Sequence, residues 1–320
     1  MGDISLTSAY TMVELAKRTN NKVFLDIAEV LDKKLAMIRD GVWVEANQLT
    51  GHVHAKRVLL PTGTWRAPNS GVAASISQVS QNVESIGLLE DRSEIDEYLV
   101  EISPDPRTAR YQEDIAHVEG LAQTFSTAIW YGNLTSPDPL KPTGFTTRYN
   151  TLGTNVLSCG ASGGASLWIV EWGVGKVHFI YPRGQANTFV KMIDLGKQLM
   201  EDGITSGNKL VKYVTQYKIN GGIVINDERC IARLCNIGTS TANLVDEDLL
   251  IQLLNNMPDE GESAVIYCNP TVKTQFDIKA KNKPGLFQWS QDPFGKPVLS
   301  FRGVPVRVDQ MLTTSESTVS

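Results

Sequence analysis

A chain of 320 residues, 42% of them hydrophobic, is long enough to bury a substantial core as one elaborate domain or two to three smaller ones, which excludes a disordered protein. Thirty lysines and arginines against 35 aspartates and glutamates leave a net charge of −5 without a contiguous run of either sign, and tight binding to nucleic-acid phosphates, which calls for a basic stripe, is disfavoured. Four cysteines without paired CxxC spacing point to reduced thiols rather than a disulfide framework or zinc ribbon, and the absence of a leader or of an apolar run near the ~18–20 residues that cross a bilayer leads to the expectation of a soluble, intracellular protein with no membrane partner.

Residues 7–38 read as two amphipathic helices. Thr7 caps the first, which carries Met12, Val13, Leu15 and Ala16; after Asn20-Asn21 the second carries Phe24, Ile27, Leu31, Leu35 and Ile38. They are either ordinary core helices or an arm that packs on a neighbour. From Gly41 to about Leu89 the pattern turns to β, with a short strand at Val42-Trp43-Val44 and longer ones over 54–60 and 75–83, separated by Pro61, Gly63, Pro68, Asn69 and Gly71. This is a long hairpin. Its returning arm, ASISQVSQNVESIG, is polar or small at most positions of both faces, and a two-stranded ribbon with so little to bury is marginal alone in water. The ribbon is either an edge hairpin of the chain's own sheet or, as Lys56, Arg57 and Arg66 favour, a partly basic arm laid on a neighbouring subunit.

A short helix is predicted over 93–102, with Ile95, Tyr98, Leu99 and Ile102 on one side and Ser103-Pro104 ending it. The longest element follows, over 105–133. Ile115, Val118, Ala122, Phe125 and Ile129 alternate spacings of three and four, one apolar stripe on a helix. Asp105 is the N-cap, Pro106 the first helical residue, and Gly132-Asn133 a left-handed stop. At ~1.5 Å per residue this rod is roughly 35–40 Å long.

A Pro-rich loop over 134–142 and an exposed Gly/Ser-rich loop over 153–164 come next. Strands 167–170 and 177–181 are expected to form a hairpin through Trp172-Gly173-Val174-Gly175, followed by a helix over 187–200 with Phe189, Ile193 and Met200 on one face, and strands 209–219 and 222–225. A helix from Asp246 to Pro258, a buried strand 265–268, a helix opened by Asn269-Pro270, strand material over 298–307 and a Ser/Thr tail after Leu312 complete an interleaved α+β pattern.

No catalytic constellation emerges. His52 and His54 share a strand face without a third ligand nearby in sequence; His117 sits on the polar side of the long helix and His178 in a strand. Gly173-Val174-Gly175-Lys176 imitates the end of a phosphate loop, but Val177 stands where Ser or Thr belongs and a strand follows. Asp227-Glu228 reads as a surface carboxylate pair.

The order of parts, and a set of short stretches spread over nearly the whole chain, resembles the major capsid proteins of tailed bacteriophages, in the branch found in short-tailed phages and prophages. The stretches are Val42-Trp43-Val44-Glu45 with Leu49 to His52, Leu60-Pro61-Thr62-Gly63-Thr64-Trp65-Arg66, Tyr131-Gly132-Asn133, Gly144-Phe145 with Arg148-Tyr149-Asn150, Trp168 to Gly173, Tyr181-Pro182-Arg183-Gly184, Asp194-Leu195-Gly196 and Gly303-Val304-Pro305-Val306-Arg307. The resemblance implies the Hong Kong 97-like capsid fold, α+β, with an N-terminal arm (1–40), an extended β-hairpin loop (41–92), a peripheral domain with the spine helix (93–150), a mixed axial domain (151–296) and return strands (297–320). It implies a structural, non-enzymatic subunit without cofactor or metal, self-assembling into pentamers and hexamers around double-stranded DNA that it touches weakly and non-specifically. Its implied location is the virion capsid, assembled in the host cytoplasm, with a cement or decoration protein, a scaffold and a portal as further partners. Lys56, Arg57, Trp65 and Arg66 are the candidate inter-subunit contacts. Some relatives cross-link a loop lysine to a neighbour's asparagine; nothing around Lys56, the loop's one lysine, marks such chemistry. The rival readings are a tail or connector subunit and an intracellular enzyme with an unrecognised site.

Overall fold

The computed structural model describes residues 19–20, 23–24, 34–49, 51–134, 140–184, 190–201, 207–282, 287–291 and 297–320. In chain order the strands are β1 (Thr19–Asn20), β2 (Val23–Phe24), β3 (Trp43–Glu45), β4 (Gly51–Leu59), β5 (Gln78–Ser85), β6 (Gly87–Asp96), β7 (Val156–Ser158) and β8 (Ala165–Glu171). They continue with β9 (Val177–Tyr181), β10 (Lys191–Glu201), β11 (Lys209–Ile225), β12 (Ile231–Ile237), β13 (Ala264–Cys268), β14 (Phe287–Gln291), β15 (Pro297–Phe301) and β16 (Val304–Val308). The helices are α1 (Ala36–Asp40), α2 (Glu97–Ile102), α3 (Pro106–Tyr131), α4 (Phe145–Arg148), α5 (Glu247–Asn256) and α6 (Pro270–Asn282). Two compact units result. The larger gathers Lys34–Gly87, Ser126–Asn187 and Gly221–Ser320; the smaller includes Leu88–Phe125 and Thr188–Asn220.

The larger unit is built on a seven-stranded sheet in the order β14-β15-β16-β13-β8-β12-β7, parallel between β13 and β16 and between β12 and β7 and otherwise antiparallel. Every residue of β8 and β12 is buried, the signature of a sheet covered on both faces. Leu167, Ile169, Leu234 and Ile266 meet Leu250, Leu253 and Leu254 of α5 and Val272 and Phe276 of α6. Each such side chain contributes about 1.5–3 kcal/mol when fully buried. Trp168, Arg233 and Tyr267 belong to the alternate set. Trp168 packs on Trp130, Phe145 and Tyr149 with ring centroids 5.8, 5.8 and 6.1 Å away.

Asp105 caps α3 as expected: its carboxylate accepts from the Arg107 N–H at 3.0 Å and the Thr108 hydroxyl at 2.6 Å. The far end differs from the expectation, because neither Gly132 nor Asn133 has a positive φ. Glycine is needed there for close approach. A Cβ on Gly132 would lie 2.2 Å from the Pro142 carbonyl and 2.4 Å from that of Ala128, and one on Gly144 would lie 2.7 Å from Gly132 N, so two backbones cross without side chains between them. The apolar stripe is also uneven: Ala122, Phe125 and Ile129 are buried, whereas Ile115 is exposed.

In the smaller unit β10 pairs with β11 along Lys191↔Lys218 to Glu201↔Lys209, and β6 also pairs with β11. Charge contributes to its packing: Lys218 meets Glu90 at 2.8 Å, Lys212 meets Glu94 at 2.9 Å and Arg110 meets Asp194 at 2.7 Å. His117 stacks on Tyr217 with centroids 5.3 Å apart. Its Nε2 is 3.6 Å from Glu113 and its Nδ1 2.6 Å from Asp91. Hydrogen bonding to Glu113 and Asp91, against partial desolvation, raises its pKa to about 9. The folded state therefore holds a proton that the unfolded chain releases above its ordinary pKa of ~6.5. The stabilisation is complete below pH 6.5 and is lost as the pH rises through 9. Replacing His117→Gln is expected to cost about 1 kcal/mol at pH 6, allowing for solvent screening, and almost nothing at pH 10, by urea denaturation; equal costs at both pH values would contradict this origin.

Five further expectations are corrected. Residues 191–201 are strand β10, not part of a helix; Gly196, at φ +69°, sits where the register shifts, and pairing with the long β11 overrides the helical spacing of Ile193 and Met200, while Phe189 lies outside the described residues. Strands β8 and β9 do not form a hairpin but join different sheets; the turn at 172–176 carries the chain between them. The loop over 153–164 contains β7, with Val156 buried at the sheet edge, because one apolar pair among small residues suffices to extend the sheet. Residues 93–96 end β6, Ser93 and Ile95 buried in alternation, and Asp96 caps a helix that starts only at Glu97. At the N-terminal side Val23–Phe24 pairs with Thr19–Asn20 as strand rather than helix, and the helix near Ile38 is Ala36–Asp40. The helical residues proposed over 7–18 and 25–33 lie outside the described residues, as does 135–139 of the Pro-rich loop.

Candidate functional site

The hairpin of β4 and β5 pairs antiparallel from Gly51↔Ser85 to Leu59↔Gln78, with an irregularity between Arg57 and Leu59. Side chains directly opposite across such a ladder share a face, which puts His52 with Glu84, His54 with Asn82 and Lys56 with Ser80. All six are buried or half-buried, whereas Ala55, Arg57, Val79, Gln81 and Val83 of the alternate face are exposed. The base of the hairpin thus lies on the larger unit by a polar face.

Charge holds it there. Arg148, at the end of α4, grips Glu84 with both terminal nitrogens, Nη1 to Oε1 at 2.6 Å, and Lys56 donates to Glu228. The loop carrying Glu228 is shaped by Asp227, whose carboxylate accepts from the Arg229 N–H at 3.0 Å and pairs with the Arg229 guanidinium at 2.7 Å; that side-chain hydrogen bond pulls the Asp227 pKa down. Lys56, Glu84, Arg148, Tyr149 and Glu228 line a cavity of about 190 Å³. His178 of β9 meets His52 edge-on, ring centroids 5.8 Å apart.

Beyond the base, residues 57–79 are exposed without exception. Trp65 is 102% exposed, Ile76 74% and Leu60 65%. Large apolar side chains grouped on an exposed segment mark an interaction surface rather than a solvent face. Of the four residues singled out in sequence, Arg57 and Trp65 are exposed, Arg66 donates to the Ser70 carbonyl at 3.0 Å within the tip, and Lys56 is engaged by its own chain. Sequence reasoning missed Arg148, His178 and Glu228, because nothing local ties them to a hairpin that precedes them by 60 to 180 positions. The arrangement offers binding and positioning. The thiols of Cys230 and Cys268 are buried and pushed up to about 12 by desolvation, and among the described residues no group of three or more His, Cys, Asp or Glu is placed to hold a metal.

An extended hairpin with a bare tip, a long capped helix, and a mixed sheet covered on both faces, in this order along the chain, define a shell-building protein of the Hong Kong 97-like capsid fold. The family model for major capsid protein GP7 matches residues 19–320, and the chain belongs to that family. It is a structural subunit of a bacteriophage capsid. Among solved structures, the cryo-EM structure of bacteriophage Epsilon15 is similar over 99% of both chains, with a TM-score of 0.77 at 19% identity. The capsid of bacteriophage JBD30 is similar over 89% of this chain and 93% of its own, with a TM-score of 0.51 at 11% identity. The search of curated proteins gave no match.

Proposed function

We propose that this subunit closes an icosahedral shell as pentamers and hexamers around double-stranded DNA, each copy laying its hairpin tip over the next. The observation that carries this reading is the tip itself, exposed from residue 57 to 79 with Leu60, Trp65 and Ile76 bare. Burying that surface on an identical neighbour stabilises by about 25 cal/mol per Å² of apolar area, and head-to-tail contacts of this kind close into rings at fixed rotations. Trp65 is the anchor, with Arg57 and Arg66 at its rim; Lys56, held by Glu228, supports the base from within the chain. Residues 1–40 serve as an arm, 41–92 as the extended loop, 93–150 as the peripheral domain, 151–296 as the axial domain and 297–320 as its return to the periphery. The subunit has no catalytic role of its own. Its net charge of −5 suits a container from which DNA must be released, since a wall dense in cations would retain phosphates. Assembly takes place in the host cytoplasm, with scaffold, portal and a cement or decoration protein as partners.

Expressing the chain alone and imaging it under negative stain tests the reading. Closed shells, or five- and six-membered rings, are the expected particles. Long tubes or a single dodecameric ring would point to a tail or connector component, and a strictly monomeric protein at high concentration would overturn the proposal.

A further inference from the structure

We infer that the base of the hairpin is an acid-sensitive latch: the neutral imidazoles of His52, His54 and His178 hold β4 and β5 against β9, and their protonation releases the hairpin base from the body. The latch is a property of a single chain and stands apart from how copies assemble. Three of the chain's four histidines converge here from two strands of separate sheets. His54 is 8% exposed and His178 2%. Neither ring nitrogen of His54 has a hydrogen-bond partner, nor does Nδ1 of His52, and the His178 ring makes no well-formed hydrogen bond, only a weak contact with the Gly173 backbone. Histidines buried in this way pack as apolar rings, an arrangement that tolerates the neutral form and penalises the cation.

The surrounding charges do not offset added protons. Facing the histidines are Glu84 from β5, Arg148 from α4, and Lys56 from β4 itself, with Glu228 on Lys56. Among the described residues Glu84 is the acid that favours imidazolium at His52 and His54, but its carboxylate is already occupied by Arg148. At His178 the Gly173 backbone favours the cation, against desolvation and the two neighbouring histidines. Burial, then mutual repulsion, lowers the His178 pKa to about 4, and desolvation lowers those of His52 and His54. The sign follows. An undocked base binds protons at the ordinary ~6.5 and the docked base does not, so docking is at full strength above pH 6.5 and weakens as the pH falls from 6.5 toward 4.

The test uses the full chain with ¹³C-labelled histidine, its four signals assigned by single His→Gln substitutions. His52, His54 and His178 are expected to titrate below 6.5, while His117 titrates near 9 as an internal control of opposite sign. Hydrogen exchange over residues 51–56 and 82–85, corrected for intrinsic rate, is expected to accelerate at least ~10-fold between pH 7 and pH 5, the equivalent of one pKa unit, with β12 unchanged. In an H52Q/H54Q/H178Q chain the acceleration should vanish. Three histidines titrating at ordinary values overturn the latch, as does an acid response that the triple variant retains; should the variant not fold, the titration of the native chain decides alone.

Discussion

Replacing Glu316→Ala is expected to destabilise the protein by about 3–5 kcal/mol, the range for removing one partner of a buried ion pair and a large part of the 5–15 kcal/mol that holds a typical fold together. Arg233 is the reason. Its side chain is 1% exposed and that of Glu316 7%, with Nη2 2.8 Å from Oε2. Nε donates to Ser166 Oγ at 3.0 Å, Nη1 to the Tyr149 carbonyl at 2.6 Å, and the guanidinium lies 4.9 Å over the Trp168 ring. On its other side Glu316 accepts the Tyr131 hydroxyl at 2.7 Å and that of Ser166. Burial and the Glu316 carboxylate raise the Tyr131 pKa, so the phenol remains a donor. Without the carboxylate, a guanidinium fixed in the interior loses the one close counter-charge it has among the described residues and cannot neutralise by giving up its proton. Glu316→Gln keeps part of the hydrogen bonding and should fall between the native chain and the alanine variant. Deleting 313–320 should be at least as damaging as Glu316→Ala, since it also removes the Gly164–Glu316 backbone pairing and the bonds of Val319 to Asn236. The paired change R233M/E316L should cost less than either single alanine variant, because it leaves no unmatched charge. A urea midpoint for Glu316→Ala within 0.5 kcal/mol of the native chain would falsify this assignment.

What could be seen in the sequence, and what could not, divides along physical range. Features written within one turn or one strand were legible: the Asp105-Pro106 start of α3, the helix starts at Asp246 and at Asn269-Pro270, the strands over 167–170 and 265–268, and a hairpin arm too polar to form a core. Pairings decided at long range were not. Residues 187–200 showed a helical spacing, yet Lys191–Glu201 is a strand, because β11 supplies ten partners from Lys209 to Lys218. The Ser/Thr tail carried no local sign that its one charged side chain, Glu316, would reach Arg233 in the interior. His52 and His54 were recognised as neighbours on a strand, but their third member lies on β9, over a hundred residues away, and no spacing rule reaches across sheets. The candidate site was legible as a ribbon in search of a support. Its anchorage through Glu84–Arg148 and Lys56–Glu228 was visible only in three dimensions.

That anchorage determines where the hairpin can be cut, and the cut carries the second large expected effect. Reading the sequence alone, one would remove 52–86; the structure shows that His52, His54, Lys56, Asn82 and Glu84 belong to the packed base, and deleting them strips Arg148 and Glu228 of their partners. Replacing 58–78 by Asn-Gly, the two-residue turn that suits the twist of an antiparallel pair, instead joins Arg57 to Val79, which are already opposite each other. Because every residue from 57 to 79 is exposed, the shortened chain should keep its unfolding midpoint to within about 0.5 kcal/mol, as surface changes do. Closed shells should disappear altogether. A bare tryptophan at an interface centre is commonly worth 2 kcal/mol or more, a factor of roughly 30 in each contact, and in a shell that factor recurs at every junction between subunits. Trp65→Asp in the full-length hairpin should therefore lower assembly steeply while leaving the monomer's stability unchanged, with sedimentation velocity and electron microscopy reading the particles. Normal shells from the shortened chain would mean that the tip serves something other than the junction between copies; a shortened chain that neither folds nor assembles would mean that the exposed segment supports the body after all, against the burial pattern on which its boundaries were drawn.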